Sequence, residues 1–512
     1  MLRGILTVGG WTMASRILGF ARDILIAALL GAGPVADAFF LANRLPNLFR
    51  RLFGEGAFNA AFVPGFTGLL ATEGPDAARC FAEQAIAVMA FWLFGLTVLA
   101  EIFMPQIMGL WALGFTDDPK KFALVVELGR ITFPYMPLIC LTALLSGVLN
   151  GLDRYAAAAA APLIYNVVSI AFMLTLPGIV PTVGHAAAWG VSVSGVVQIV
   201  LLYWAVTRAG MRLHVPRPHM TPQMRLLFRR MAPGLLGSGV IQLNLAVDAF
   251  IAGLLPAGTV SVLYYADRVN QLPLGVIGIA VSTALLPTLS RQVRGSNPEE
   301  AVGTLNRAIE FALMLTLPAA LALLVSALPI VSVLFGRGAF TARDAALAAQ
   351  SLAAYAVGLP AFVLVKVLVP AFFARGDTKA PVWTGTAAVV LNLALNFAFM
   401  RPLQHMGPPL ASSVAAWFNV GLLVWLLHQR GHIAGDNGLR RRVPRMMLAG
   451  LAMCIVLWAV QRTAFPALGS AHGLRFAALA LLVTSGLAAY GVAGQVLGGF
   501  DLRDAVRTLR GR

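Results

Sequence analysis

Eight ionisable residues crowd the first two long apolar stretches of this 512-residue chain, near 8–32 and 36–70: Arg16, Arg22, Asp23, Asp37, Arg44, Arg50, Arg51 and Glu55. Five are arginines and three are acids, so pairing among them leaves a positive surplus. A guanidinium offers its donors in a planar fork that matches the oxygens of a phosphate. This residue type at this place predicts the capture of a phosphate-bearing anion. Mutual neutralisation with purely structural duty is the competing reading.

Spacing refines the expectation. Arg16 and Asp23 are seven apart, which predicts a shared helix face with about 10 Å between them. Asp37, Arg44 and Arg51 repeat at the same interval, and Glu55 follows four later, so an undistorted helix would place them on one stripe. Pro46 predicts a kink that brings Arg50 onto the stripe in place of Arg51. Gly54-Glu55-Gly56 predicts a bend. An ionisable group facing lipid costs about 3 kcal/mol, so eight of them would cost on the order of 20 kcal/mol. These helices are therefore expected to line an aqueous cavity.

The elements that position these residues are membrane spans. The chain is 59% hydrophobic and 12% charged, where a soluble domain carries about a quarter charged residues. A soluble enzyme, a disordered chain and a nucleic-acid binder are excluded as first readings. Fourteen stretches reach the length of about 20 residues that a bilayer demands. The first is not expected to be a cleaved signal peptide, because Arg16, Arg22 and Asp23 interrupt it. The net charge of +17 is read as membrane topology. Arg208, Arg212, Arg217, Arg225, Arg229 and Arg230 follow the sixth span, and Arg430, Arg440, Arg441, Arg442 and Arg445 follow the twelfth. Even-numbered loops and both termini are thus expected on the cytoplasmic side. Cys80, Cys140 and Cys454 stand far apart in apolar runs and predict neither a metal site nor a disulfide framework.

The chain also repeats itself at a shift of about 225 residues. Ala28-Leu-Leu-Gly-Ala-Gly33 returns as Gly253-Leu-Leu-Pro-Ala-Gly258, Ala42-Asn-Arg-Leu45 as Ala266-Asp-Arg-Val269, and Val63-Pro64 as Leu286-Pro287. Gly147-Val-Leu-Asn-Gly151 returns as Phe372-Phe-Ala-Arg-Gly376, followed in turn by Asn166 and Asn392. Six spans lie within the shift, so both halves enter the membrane in the same sense, an arrangement used by transporters. The expected fold is an all-α polytopic membrane protein of about fourteen transmembrane helices. It comprises two parallel six-helix lobes, 1–222 and 223–440, and a third segment, 441–512, of two further helices and a basic tail. Charge is concentrated in the first half: Asp23 matches Asp248 and Arg44 matches Arg268, whereas Arg16, Arg22 and Glu55 match Ile241, Val247 and Ile279. Lys366 is a lone ammonium in the tenth span, either snorkelling or paired internally unless it meets a ligand. Asp248, Asn392, Asn396 and Ser412 supply oxygens suited to a hard cation such as sodium. Interhelical hydrogen bonding explains them equally well.

Several of these motifs carry a resemblance. Ser15-Arg-Ile-Leu-Gly-Phe-Ala-Arg-Asp23, Asp37-Ala-Phe-Phe40, Leu45-Pro-Asn47, Arg50-Arg-Leu-Phe-Gly-Glu-Gly-Ala-Phe58 and Phe62-Val-Pro64 resemble the N-terminal signature of the MurJ (MviN) lipid II flippases of the MOP exporter superfamily. Tyr264-Tyr-Ala-Asp-Arg268, Leu272-Pro273, Leu285-Leu-Pro287 and Ala374-Arg-Gly-Asp-Thr-Lys-Ala-Pro381 resemble later motifs of that family. The resemblance implies a central cationic cavity between two lobes and a lipid-facing groove made by the last two helices. It implies transfer of lipid II, an undecaprenyl-pyrophosphate disaccharide-pentapeptide, from the inner to the outer leaflet of the bacterial inner membrane. Substrate-binding residues carry over onto Arg16, Arg22, Asp23, Asp37, Arg50, Glu55 and Arg268, and Arg44 matches a position that is usually basic. A sodium site would fall near Asp248, Asn392, Asn396 and Ser412, with Asn396 where a carboxylate can occur.

The reading from the residues agrees. A pyrophosphate needs arginine forks, a sugar-peptide head needs a wet cavity, and a prenyl tail can stay in lipid. We expect lipid II and membrane lipids as partners, no nucleic acid, no cofactor, and a functional monomer. Coupling to the membrane potential or to sodium is expected as the driving force. The rivals are an exporter of another polyprenyl-linked glycan, a multidrug or cation antiporter of the same superfamily, and a membrane enzyme. An antiporter site for organic cations should be acidic and aromatic, and an enzyme should show acidic clusters for metal or base chemistry.

Overall fold

A computed structural model of the chain describes residues 2–51, 58–231, 250–295, 298–433, 437–469 and 474–500. The regular structure among them is helical, apart from an isolated bridge between Pro177 and Val180. Among the described residues, ten segments are long and apolar enough to cross a membrane. They account for ten of the fourteen expected spans. The first and eighth expected spans are also long helices. The second is split in two, and most of the seventh (near 228–255) lies outside the described residues.

The chain divides into two compact units, Met1–Ser261 and Val262–Arg512. The first contains α1 (Leu2–Leu30), α2 (Pro34–Phe49), α3 (Phe58–Thr72), α4 (Pro75–Ile102), α5 (Met104–Trp111), α6 (Pro119–Thr132), α7 (Tyr135–Gly151), α8 (Tyr155–Thr175) and α9 (Val183–Arg208). Helix α10 (Thr259–Arg294) begins in it. The second contains the rest of α10, α11 (Pro298–Val325), α12 (Ala327–Phe335), α13 (Ala342–Phe373), α14 (Lys379–Phe399), α15 (Gly407–Gln429), α16 (Asn437–Gly469) and α17 (Arg475–Val496).

In the first unit α8 packs against both α1 and α9, and α7 packs against α9. In the second, α14 and α13 pack against α15 in the same way, while α16 packs on α17 and α11. The helix breaks repeat as well. The third span stops at Phe103 and resumes as α5, with Pro105 in its first turn; the ninth stops at Ser326 and resumes as α12, with Pro329 in its first turn. A proline cannot donate to the preceding turn, so the ladder is interrupted there. Entry into the next helix is capped by a side chain in both units. Asp118 accepts from the backbone N–H groups of Lys120 and Lys121, and Thr341 forms a reciprocal box with Asp344.

The second stretch, expected as one span over 36–70, is two helices. Helix α2 ends at Phe49 and passes into a wider π-type turn at residues 50–51, and α3 starts at Phe58. Pro46 lies inside α2, and the expected bend at Gly54-Glu55-Gly56 lies outside the described residues. Trp111 Nε1 donates to the Leu41 carbonyl at 3.2 Å and ties α2 to the end of α5. Asn166 Nδ2 donates to the Ser15 carbonyl at 3.0 Å and holds α8 against α1. That contact is close because Gly19 has no side chain: a Cβ there would stand 3.3 Å from the Asn166 amide.

Candidate functional site

Arg22 and Asp23 are neighbours on α1, and both are buried, at 7% and 2% exposure. Arg22 donates to Asp23 Oδ1 from Nη2 at 2.7 Å and from Nε at 3.2 Å. Adjacent helical residues point in different directions, so the long arginine folds back to reach the carboxylate. Its guanidinium also lies 5.0 Å from the ring centroid of Tyr165 on α8. Away from water such a cation–ring contact contributes about 2 kcal/mol. The Tyr165 ring in turn stands 5.6 Å from that of Tyr135 on α7.

Arg50 completes the group. Its Nε donates to Asn47 Oδ1 at 3.1 Å, and Asn47 Nδ2 donates to the Asn43 carbonyl at 2.9 Å, which braces the end of α2. Arg22 is buried and Arg50 half-buried, the two inward arginines of the chain's first two helical stretches. Guanidinium groups held by a carboxylate, an amide and aromatic rings are pre-organised to receive oxyanions at little conformational cost.

The remaining predicted residues separate. Arg16 is exposed, and the partner of Asp23 is Arg22 rather than Arg16. Asp37 is 1% exposed and fully engaged: it accepts from the backbone N–H of Gly258 at 2.5 Å, from that of Ser261 at 2.8 Å and from Ser261 Oγ at 2.6 Å, all within the first unit. It closes the first turn of α10 as a capping carboxylate does. The stripe of Asp37, Arg44 and Arg51 therefore breaks up. Arg44 is half-buried and has no hydrogen bond or ion pair among the described residues, Arg51 is exposed, and Arg50 takes the inward position. Glu55 and Asp248 lie outside the described residues. Arg268 belongs to the second unit, where Nε and Nη2 donate to Tyr264 Oη at 3.1 and 2.8 Å and the guanidinium lies 5.0 Å from that ring. Tyr135, Tyr165, Tyr264, Asn47 and Ser261 were not anticipated. Tyrosines within apolar spans were the available signal for three of them.

Asn392 and Asn396 are buried, and Ser412 is half-buried beside them. Asn396 Nδ2 donates to the Asn392 carbonyl at 3.0 Å and to its Oδ1 at 3.2 Å, and Ser412 Oγ donates to the same Oδ1 at 3.5 Å. No group of three histidine, cysteine or acidic side chains able to hold a metal occurs among the described residues.

A family model described as lipid II flippase MurJ matches residues 26–472. The chain belongs to the MurJ family. A probable lipid II flippase MurJ of Rhizobium meliloti is 44% identical over 517 residues, covering 100% of this chain and 96% of that protein. Another from Rhizobium tropici is 41% identical, covering 100% and 97%. The lipid II flippase MurJ of Burkholderia cenocepacia is 34% identical, covering 88% and 89%. Among solved structures, a lipid II flippase MurJ in an inward closed conformation matches with a TM-score of 0.79 at 24% identity, covering 98% of this chain and 99% of that one. An inward-facing MATE-family multidrug transporter of the MOP superfamily matches with a TM-score of 0.68 at 15% identity, over 83% and 97%. Both likenesses show the fold. Of the MurJ motifs, Asp37-Ala-Phe-Phe40 is buried throughout, while in the motif ending at Asp23 only Arg22 and Asp23 are buried.

Proposed function

We propose that this chain is a flippase for lipid II. It moves the undecaprenyl-pyrophosphate-linked disaccharide-pentapeptide from the inner to the outer leaflet of the bacterial inner membrane by alternating access. The observation that carries the reading is the buried guanidinium of Arg22, held by Asp23 and lying 5.0 Å from the ring centroid of Tyr165 on the membrane-length helix α8. A buried arginine is expensive in lipid and persists where an anion visits. The pyrophosphate is that anion. Arg16, Arg44, Arg51 and Glu55 serve the approach to it, with Arg268 contributing from the second half. Asp23 holds Arg22 and Asp37 holds α10, so the acids position rather than bind.

The chain is read as two six-helix lobes, 1–222 and 223–440, followed by two helices in 441–512, with both termini cytoplasmic and the monomer as the working unit. The protein supplies no chemical step: substrate and product are the same molecule on opposite leaflets. An inside-negative potential drives an anion outward with about 2.3 kcal/mol per charge per 100 mV, the sign that export requires. Sodium would meet the oxygens of Asn392, Asn396 and Ser412, with Asp248 outside the described residues. Asn392 Oδ1 already accepts from Asn396 and Ser412, and these three residues are neutral. No step is assigned to the ion.

The test is reconstitution. In vesicles carrying fluorescent lipid II, wild-type protein is expected to expose the inner-leaflet lipid to an external quencher, and an Arg22→Ala, Arg50→Ala double variant to leave it protected. Equal exposure with and without the protein would overturn the reading.

A further inference from the structure

His185 is the third residue of α9 and is 3% exposed. Its Nδ1 lies 2.8 Å from Oγ1 of Thr182, the residue before the helix. Its Nε2 is buried, makes no hydrogen bond and stands 3.2 Å from Glu127 Oε1 on α6. The Glu127 side chain is 58% exposed, so the pair joins a shielded ring to a group in contact with solvent. Gly184 shows how tight this end of α9 is. A Cβ there would stand 2.8 Å from Val35 Cγ1 on α2 and 3.5 Å from Leu128 Cδ1 on α6. The first turn of α9 is wedged between these two helices. Val35 is two residues before Asp37, so whatever fastens this end also steadies the carboxylate that closes α10.

The duplication repeats the pairing and changes one group in it. Glu127 is the ninth residue of α6, and Gln350 is the ninth residue of α13. Gln350 Oε1 lies 2.8 Å from Nε2 of His405, in the short turn Gln404–Met406 that leads into α15. Each unit thus ties a long helix to the start of a later one through a histidine. An amide stays neutral at every pH, so the His405–Gln350 contact remains a hydrogen bond to a neutral acceptor. In the first unit, proton uptake by the ring places a cation 3.2 Å from a carboxylate. A charge-assisted contact of this kind is roughly twice as strong as a neutral one.

The other ionisable groups on the helices packed against α9 leave the pair to itself. On α6, Lys121 is paired with Asp118 at 3.4 Å, and Lys120 and Arg130 are exposed. On α2, Asp37 is engaged by Gly258 and Ser261, and Arg44 is seven residues further along. The last seven residues of α1 and of α8 include no ionisable group. Tyr135 of α7 packs at Gly195, ten residues further along α9, about 15 Å away.

We propose that His185 and Glu127 form a proton-binding site: a pH-sensitive ion pair that fastens α9 to α6, and that the second unit, with Gln350, does not form. The orientation proposed above puts the start of α9 on the outer side of the membrane, so the protons come from there. The ion pair requires a protonated imidazole and an ionised carboxylate, a window of about pH 4.3–6.5 for ordinary groups. Its contribution is therefore present below about pH 6.5 and is lost as the pH rises past that value, and it fades again in stronger acid.

The test compares thermal melts of full-length wild type, Glu127→Gln and Gln350→Glu at about pH 5.5 and about pH 8. Glu127→Gln gives the first unit the second unit's pairing, and Gln350→Glu does the reverse. Wild type is expected to melt about 2 °C above Glu127→Gln at the lower pH and level with it at the higher one. A difference that is the same at both would overturn the proposal. Should Glu127→Gln fail to fold, Gln350→Glu decides in its place. It is expected to gain a similar rise over wild type in acid alone, and the absence of that rise would overturn the proposal. The melts contain no lipid II, so their outcome is separate from that of the flippase reading.

Discussion

Asp37 and Ser261, 224 residues apart in sequence, are joined by two hydrogen bonds, from the serine N–H at 2.8 Å and from its hydroxyl at 2.6 Å. The carboxylate also holds the Gly258 N–H. A buried acid that satisfies the first turn of a distant helix acts as a cap delivered in trans. Each bond to a charged acceptor contributes about 1.5–3 kcal/mol. Asp37→Ala is therefore expected to lower the melting temperature of the purified protein and to abolish lipid II exposure. Asp37→Asn, which keeps an acceptor oxygen, should lie between wild type and alanine in both measurements. A melting temperature for Asp37→Ala equal to wild type would show that the clasp has no mechanical weight.

Arg22 and Asp23 call for a paired experiment. Removing the arginine alone takes one ion-pair partner from a carboxylate of 2% exposure, and breaking a buried pair costs up to about 3–5 kcal/mol. Arg22→Ala thus confounds binding with stability. The double variant Arg22→Met, Asp23→Leu removes both charges and keeps the volume. We expect its thermal stability to return to wild type or above while lipid II binding stays lost. Recovery of binding along with stability would mean that the pair serves only the fold.

These two cases show what the sequence made legible. A charged residue in an apolar run announces itself, so Arg22, Asp23 and Arg50 stand out in the sequence directly. Their partners could not. Arg16 and Asp23 stand at a helical repeat, yet side-chain reach decided the pairing, because a long arginine can turn back to its neighbour. Ser261 is an ordinary serine until the chain folds, and Tyr135 and Tyr165 look like any aromatic in a span. The duplication was visible in four short matches, but Pro105 and Pro329 repeat at nearly the same shift and mark a repeated break. Prolines are tolerated in membrane helices, so a proline alone does not mark a break.

The loop between α13 and α14 gives a pH dependence. Asp377 lies outside the spans, accepts from Arg430 Nη1 at 2.5 Å and from the backbone N–H groups of Lys379 and Ala380, each at 3.0 Å. The hydrogen bond from Arg430 is the main cause that holds its carboxyl below the usual 3.8. A carboxyl depressed in the folded state stabilises fully above its unfolded value and loses that contribution as pH falls through the folded one. Wild type should therefore melt higher than Asp377→Asn from neutral pH down to about 5, with the difference shrinking below about 4. A difference that grew on acidification would contradict the assignment.

Helix α13 approaches α15 at Gly358, where a Cβ would stand 2.5 Å from Ser413 Oγ and 2.7 Å from Ser413 Cα. The second of these is backbone and cannot swing aside. Ser413 Oγ is further fixed by donating to the Ala354 carbonyl at 2.8 Å. Close approach through small residues is how membrane helices gain packing and hydrogen bonds in the absence of a water-driven force. Gly358→Ala should force the pair apart at a cost of about 1–3 kcal/mol. Gly385 on α14 provides the contrast, since a Cβ there meets nothing within 4 Å. Gly385→Ala should be neutral or stabilise by up to about 1 kcal/mol, the ordinary helix preference for alanine. Thermal melts of the two variants side by side separate helix propensity from packing, and equal shifts would mean that the α13–α15 contact is looser than its geometry shows.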